Sequence, residues 1–196
     1  DLALVPPMYP VILSALLCAS IGAQLAVDLP EDVRARFKNP DGSCVQCSVG
    51  ILGADQNVRP AELLLWDSEY GRAVRGGAGA SRVRKYCAER GIEAYIIEGG
   101  TLPWIEWALR SGRGAAVTYG QGHVLTAVGI SDDGQWFAVC DNNSPRRIDW
   151  VRRETFVREH DVFCRQCRRR HGGFALILKA PPAPGREPTY LRWWEK

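Results

Sequence analysis

The sequence predicts an α+β domain with its helices ahead of an antiparallel sheet, on three observations. Residues 44 to 110 place apolar side chains mostly at helical spacing. From residue 115 to 141 the period changes to short apolar runs separated by Gly-Gln-Gly and Asp-Asp-Gly turns. Helices come first and a hairpin-built sheet follows, so the order lacks the strand-helix alternation of a doubly wound fold.

Each element has a local cause. Pro30, Pro40 and Gly42 break up the segment before the first long helix. Ser43-Cys44-Val45-Gln46 has the form of a capping box, so a helix is expected to open at Cys44 and run through Val49, Ile51 and Leu52 toward Asn57. A second helix is expected over 60–70, with Pro60 in its first turn and Ala61, Leu64 and Leu65 on one side. Residues 71–79 form a Gly-rich linker, and 81–90 form a third helix stopped by Gly91. Residues 94–97 read as a strand and 101–110 as a fourth helix with Trp104, Trp107 and Ala108 at helical spacing. Strands follow at 115–119, 123–130 and 136–141, then a helix at 149–160 and a last strand at 174–178. Trp66, Trp104, Trp107, Trp136 and Trp150 fall at positions expected to pack in the core, and Trp193 and Trp194 suit a tail docked on the body.

Composition narrows the function classes. With 196 residues and 46% hydrophobic content the chain can build one core and is not intrinsically disordered. Its formal charge of +3 is too small to demand a nucleic acid, and none is expected as partner. Residues 1–26 read as an export leader: an uncharged apolar run after Met8, with small residues around Ala23 and the first acid at Asp28. A buried N-terminal helix is the alternative. Residues 27–180 would then be the domain and 181–196 a Pro-rich tail, in a protein secreted or held in the cell envelope, with no stable membrane insertion once the leader is removed. Of the seven cysteines, Cys18 leaves with the leader.

Cys44, His123 and Asp141 carry the strongest chemical signal. A thiol in the first turn of a helix lies in the positive field of unpaired amides, which favours the thiolate. A histidine can take the proton and return it, and a carboxylate can orient the ring. His123 opens one strand and Asp141 closes the next across a hairpin, so the two ends should meet. Taken singly, a cysteine is more often a buried hydrophobe and a strand histidine more often structural.

Gly42-Ser43-Cys44 at a helix start, the segment from Gly122-His123 to Ile130, and Val139-Cys140-Asp141-Asn142-Asn143-Ser144 resemble the papain-like cysteine peptidases. The likeness is to the compact bacterial branch that includes the bacteriocin-leader peptidases. It covers roughly residues 44–144 and, more loosely, the final strand. It implies a papain-like fold, a Cys44 nucleophile, a His123 base, an orienting Asp141, a peptide or protein substrate and no cofactor. Where the family carries a Gln oxyanion donor six residues before the nucleophile, this chain has Lys38, with Asn39 beside it as a substitute donor. Asn142 is the alternative orienting residue. Cys47 is the alternative nucleophile, although Asp41 would then oppose the developing oxyanion.

Three competing readings remain at this level. A transglutaminase-like, amide-forming enzyme uses the same Cys, His, Asp order, and a non-catalytic binding domain could retain the fold. Two CxxC pairs, Cys44/Cys47 and Cys164/Cys167, could also hold a structural zinc, although the gap between them is far longer than ordinary zinc spacing. The leading expectation includes no metal. Cys164 and Cys167 could instead form a local disulfide, and the arginines from Arg165 to Arg170 read as a solvated face.

Overall fold

The computed structural model describes residues 23–71, 78–161, 163–164, 169–170 and 173–184. The bulk of the expected leader, most of the Gly-rich linker, Cys167 and the tail tryptophans lie outside the described residues, as does the side chain of Cys164.

The elements run β1 (Ala23–Leu25), α1 (Glu31–Ala35), α2 (Cys44–Asp55), α3 (Arg59–Glu62), a 3-10 turn Leu64–Trp66 and α4 (Ala80–Glu89). Then come β2 (Ala94–Glu98), α5 (Leu102–Arg110), β3 (Ala115–Thr118), β4 (Val124–Ser131), β5 (Trp136–Cys140) and β6 (Asp149–Arg152). The chain continues through α6 (Arg153–His160), β7 (Phe163–Cys164), β8 (Arg169–Arg170) and β9 (Phe174–Leu178). Seven strands form one antiparallel sheet in the order β2-β9-β3-β4-β5-β6, with β1 beside β4, so the α+β class is as expected.

Strand alternation builds two cores. Ala116, Leu176 and Leu178 face a cluster with α2 and α4, while Ala115, Val117, Ala175 and Ile177 face a second cluster with α5 and α6. Helices therefore cover both faces of the sheet. This is why β3, β4 and β9 read as near-continuous apolar runs rather than alternating ones. Helix α2 is buried at almost every position because α3 and α4 cover the side turned away from the sheet. Its close approach to α3 depends on Gly53, where a Cβ would lie 2.2 Å from the Glu62 backbone nitrogen.

Five local expectations need correction. No capping box forms: Ser43 has φ −80 and ψ 36, its hydroxyl donates to Asp41 Oδ1 at 2.8 Å, and Gln46 Nε2 donates to Tyr70 O at 3.0 Å. The 60–70 helix is broken, because Asp67 Oδ1 accepts the Glu69 and Tyr70 amides and turns the chain out of helical geometry. The first four residues of the 149–160 helix are strand β6, zipped to β5 from Val139↔Asp149 to Trp136↔Arg152. Ala23–Leu25, placed by sequence at the end of the leader, pairs with Gly129, Ile130 and Ser131 of β4. Finally, Trp66, Trp104 and Trp107 are 50%, 42% and 37% exposed. They lie on the rim against Phe37, Tyr95 and the Arg113 guanidinium, whereas Trp136 and Trp150 are half-buried.

Candidate active site

Three pieces of backbone converge at the start of α2. The first is the helix end itself, which carries Cys44 as its opening residue, 7% exposed. The second is the β3–β4 turn, where Gly120 and Gly122 take φ of +65 and +71 and the Tyr119 amide closes the turn on His123 O at 2.9 Å. Side chains other than glycine rarely adopt that conformation, so the two glycines allow the tight turn that delivers His123 immediately before β4. The third is the exit of β5, which places Asp141 immediately after Cys140.

The convergence produces a linked set. His123 Nε2 lies 2.9 Å from Asp141 Oδ1, and the same imidazole and the Cys44 thiol each shift the other's titration. With Nε2 turned to the carboxylate, Nδ1 is the ring nitrogen left for sulfur. Burial alone would raise the Cys44 pKa. The His123 hydrogen bond, the Val124 amide, the His123 charge and the Val45 amide outweigh it, and the thiol ends below its ordinary value. His123 moves the opposite way: the Cys44 hydrogen bond raises it, burial lowers it, Asp141 raises it further, and the net is upward. Opposed shifts of this kind are the direction a thiolate-imidazolium pair requires.

Cys47 lies one turn on and is fully buried. Burial, then the Cys44 and Asp41 charges, push its thiol up to about 12, and no imidazole contributes to it. These observations favour Cys44 over Cys47 as the reactive thiol. Cys87 and Cys140 are also free and buried, and burial pushes both up to about 11. Among the described residues no group of three or more Cys, His, Asp or Glu is arranged to hold a metal ion.

Asn142 does not face His123. Its side chain is fully buried and donates to Cys44 O at 3.0 Å, Ser48 Oγ at 2.9 Å and Val124 O at 2.7 Å. It therefore ties the start of α2 to the start of β4, while Asp141 on the other side of the backbone takes the ring. Asn39 accepts the Gly42 amide on Oδ1 at 3.0 Å and donates from Nδ2 to Asn143 Oδ1 at 3.2 Å. Neither of these Asn39 bonds reaches Cys44, so an oxyanion role would use its remaining N–H.

Sequence reasoning did not single out Asn143. Its amide nitrogen donates to Asp141 Oδ1 at 2.9 Å, and its side chain comes within 3.4 Å of His123 Nε2. The available signal was the Asp-Asn-Asn run itself, since an Asp side chain commonly accepts the amide two residues on. The Asp141 carboxylate is thereby held from two sides. The groove of about 760 Å³ lined by Trp136, Arg152, Arg153 and Arg158 lies around the opposite end of β5 and contains none of these groups.

No family model matches the sequence, and no curated protein matches it. Among solved structures the chain is similar to a double glycine motif protease from an AMS/PCAT transporter, crystallised in complex with the leader peptide. The likeness has 16% sequence identity and a TM-score of 0.48, and covers 80% of this chain and 92% of that chain.

Proposed function

We propose that this protein is a thiol-dependent acyl-transfer enzyme, a cysteine peptidase that hydrolyses peptide bonds through Cys44, His123 and Asp141. The observation that supports it most is the pairing of a lowered Cys44 with a raised His123, the imidazole being held by Asp141 at 2.9 Å. A buried dithiol with two raised pKa values would not favour this reading.

The steps follow from the placement of each group. The Cys44 thiolate attacks the acyl carbon, and the carbonyl π electrons move to oxygen. As the tetrahedral intermediate collapses, the protonated His123 gives its proton to the leaving amine, leaving a thioester on Cys44. Neutral His123 then takes a proton from water, which attacks the thioester and releases the acid. Asp141 keeps the ring in the tautomer that presents Nδ1 to sulfur throughout. Uncapped amides at the start of α2 supply a positive field for both the thiolate and the developing oxyanion.

The test begins with the thiol. Labelling with an iodoacetamide probe at about pH 6, well below an ordinary thiol pKa of about 8.5, should be lost in Cys44→Ala and retained in Cys47→Ala. No enhanced labelling at either cysteine would remove the enzyme reading. Turnover of a peptide library by wild type but not by Cys44→Ala or His123→Ala would then establish hydrolysis. Ammonia release with incorporation of an added amine would assign the chain to amide formation instead.

A further inference from the structure

Cys47, which completes a CxxC with Cys44, has no role in the acyl-transfer chemistry. Both are free thiols, both lie in the first turn of α2, and they stand at i and i+3. Residues three apart on a helix are neighbours, with β-carbons about 5–6 Å apart, and the Cys47 thiol lies close enough to feel the Cys44 charge. A disulfide needs α-carbons about 4.4–6.8 Å apart, which one helical turn supplies, and β-carbons near 3.5–4.5 Å. The turn must therefore tighten slightly. No side-chain cap resists that movement, and the backbone bond spanning the turn, from the Cys47 amide to Ser43 O at 3.0 Å, does not involve either sulfur.

The two thiols are also unequal in a useful way. Cys44 is the one with residual exposure, 7% against 0% for Cys47. Its lowered pKa suits it to attack an external disulfide, while Cys47 is buried one turn further into the helix. We propose that Cys44 and Cys47 form a redox modification site that a low-molecular-weight disulfide such as oxidised glutathione closes into an intrahelical disulfide, masking the reactive thiol reversibly.

The chemistry balances in two exchanges. The Cys44 thiolate attacks one sulfur of the oxidant, forming a mixed disulfide and expelling one glutathione thiolate. Cys47 then attacks the Cys44 sulfur and expels the second glutathione, its own proton passing to the departing sulfur. Two protein thiols are oxidised to one disulfide, and one glutathione disulfide is reduced to two thiols. The second step is intramolecular within one helical turn, so the mixed disulfide should not accumulate.

The disulfide rests on the placement, exposure and inequality of the two thiols; its consequence for turnover rests on the peptidase reading. The full chain, fully reduced and freed of reductant, is exposed to oxidised glutathione, quenched in acid, unfolded, alkylated and mapped by mass spectrometry. The expected product is a peptide spanning Cys44 and Cys47 that has lost two hydrogens, carries no alkyl group and regains both thiols with dithiothreitol, while Cys87 and Cys140 remain alkylatable. Cys47→Ser should instead trap glutathione on Cys44. A wild-type chain that accumulates glutathione on Cys44 to the same extent as Cys47→Ser, or that keeps both thiols free, overturns the proposal. The wild-type map decides this even if Cys47→Ser does not fold. A linked pair in a chain with no peptide turnover would overturn the peptidase reading and leave the disulfide standing, and turnover without linkage would do the reverse.

Discussion

His123 is active only as a partner. Under the proposed chemistry it must be protonated while Cys44 is a thiolate, so the active window opens as pH rises through the lowered Cys44 pKa and closes as it passes the raised His123 pKa. Asp141 is one of the groups holding His123 up, after the Cys44 hydrogen bond. Asp141→Asn should therefore move the alkaline limb of kcat/KM toward lower pH and reduce its plateau by about 10²-fold or more, as a pH profile on a peptide substrate would show. His160 has the opposite character. It is buried against Phe156, its Nδ1 donates to Thr118 O at 2.8 Å, its Nε2 faces the Thr101 hydroxyl, and burial lowers its pKa below 6.5. The unfolded chain takes up that proton first, so this residue's contribution to stability is intact above about pH 6.5 and declines as pH falls from there through the folded value. In thermal melts, His160→Asn should flatten the loss of Tm across that acid window; an unchanged slope would contradict the assignment.

At the scale of elements, α2 joins two demands on one helix. Its first turn presents the Cys44 thiol, and its body fills the space between the sheet and the α3–α4 layer. The second demand explains Gly53, where added volume has nowhere to go because the obstacle is the Glu62 backbone and not a movable side chain. Gly53→Ala should destabilise the fold by about 1–3 kcal/mol through overpacking, measured as a shift in the denaturant midpoint. Labelling of Cys44 in the surviving folded fraction should persist, since the first turn lies more than two turns away. The helix was readable from its apolar content and its Pro and Gly borders, but its capping was not. Ser43 and Gln46 have the right types at the right spacing, but a local partner, Asp41, took the first side chain and a tertiary one, Tyr70 O, took the second.

For the whole molecule the decisive tie is Arg34. This buried arginine on α1 donates to Pro145 O at 3.0 Å, to Arg146 O at 2.8 Å and to Leu29 O, bonding mainly to backbone. It fastens the N-terminal approach to the loop that follows Asp141, Asn142 and Asn143, across more than a hundred residues of sequence. Arg34→Met would keep the apolar stem and strand those carbonyls without donors. A loss of about 2–4 kcal/mol is expected, read from chemical denaturation. Slower alkylation of Cys44 should accompany it as the Asp141 loop loosens; a folded variant of wild-type stability would show that the tie is dispensable.

The class of the fold was legible in the sequence, as was the expectation that His123 and Asp141 lie at neighbouring strand ends. Periodicity reports which faces are apolar, and hairpin arithmetic places His123 and Asp141 at neighbouring strand ends. The sequence also pointed to Cys44 ahead of Cys47, since the field at a helix start is a local property. Only the tertiary structure decided what depends on distant partners: that Asp141 and not Asn142 takes the imidazole, that Asn142 instead joins Cys44 to Val124, and that Asn143 supports the carboxylate. The same reason accounts for β1 and β6, short segments whose strand character comes from the β4 and β5 backbones beside them. It also accounts for the rim tryptophans, whose exposure depends on which surfaces the fold leaves uncovered. Local chemistry is written in neighbouring residues, whereas pairing and burial are properties of the whole packed chain.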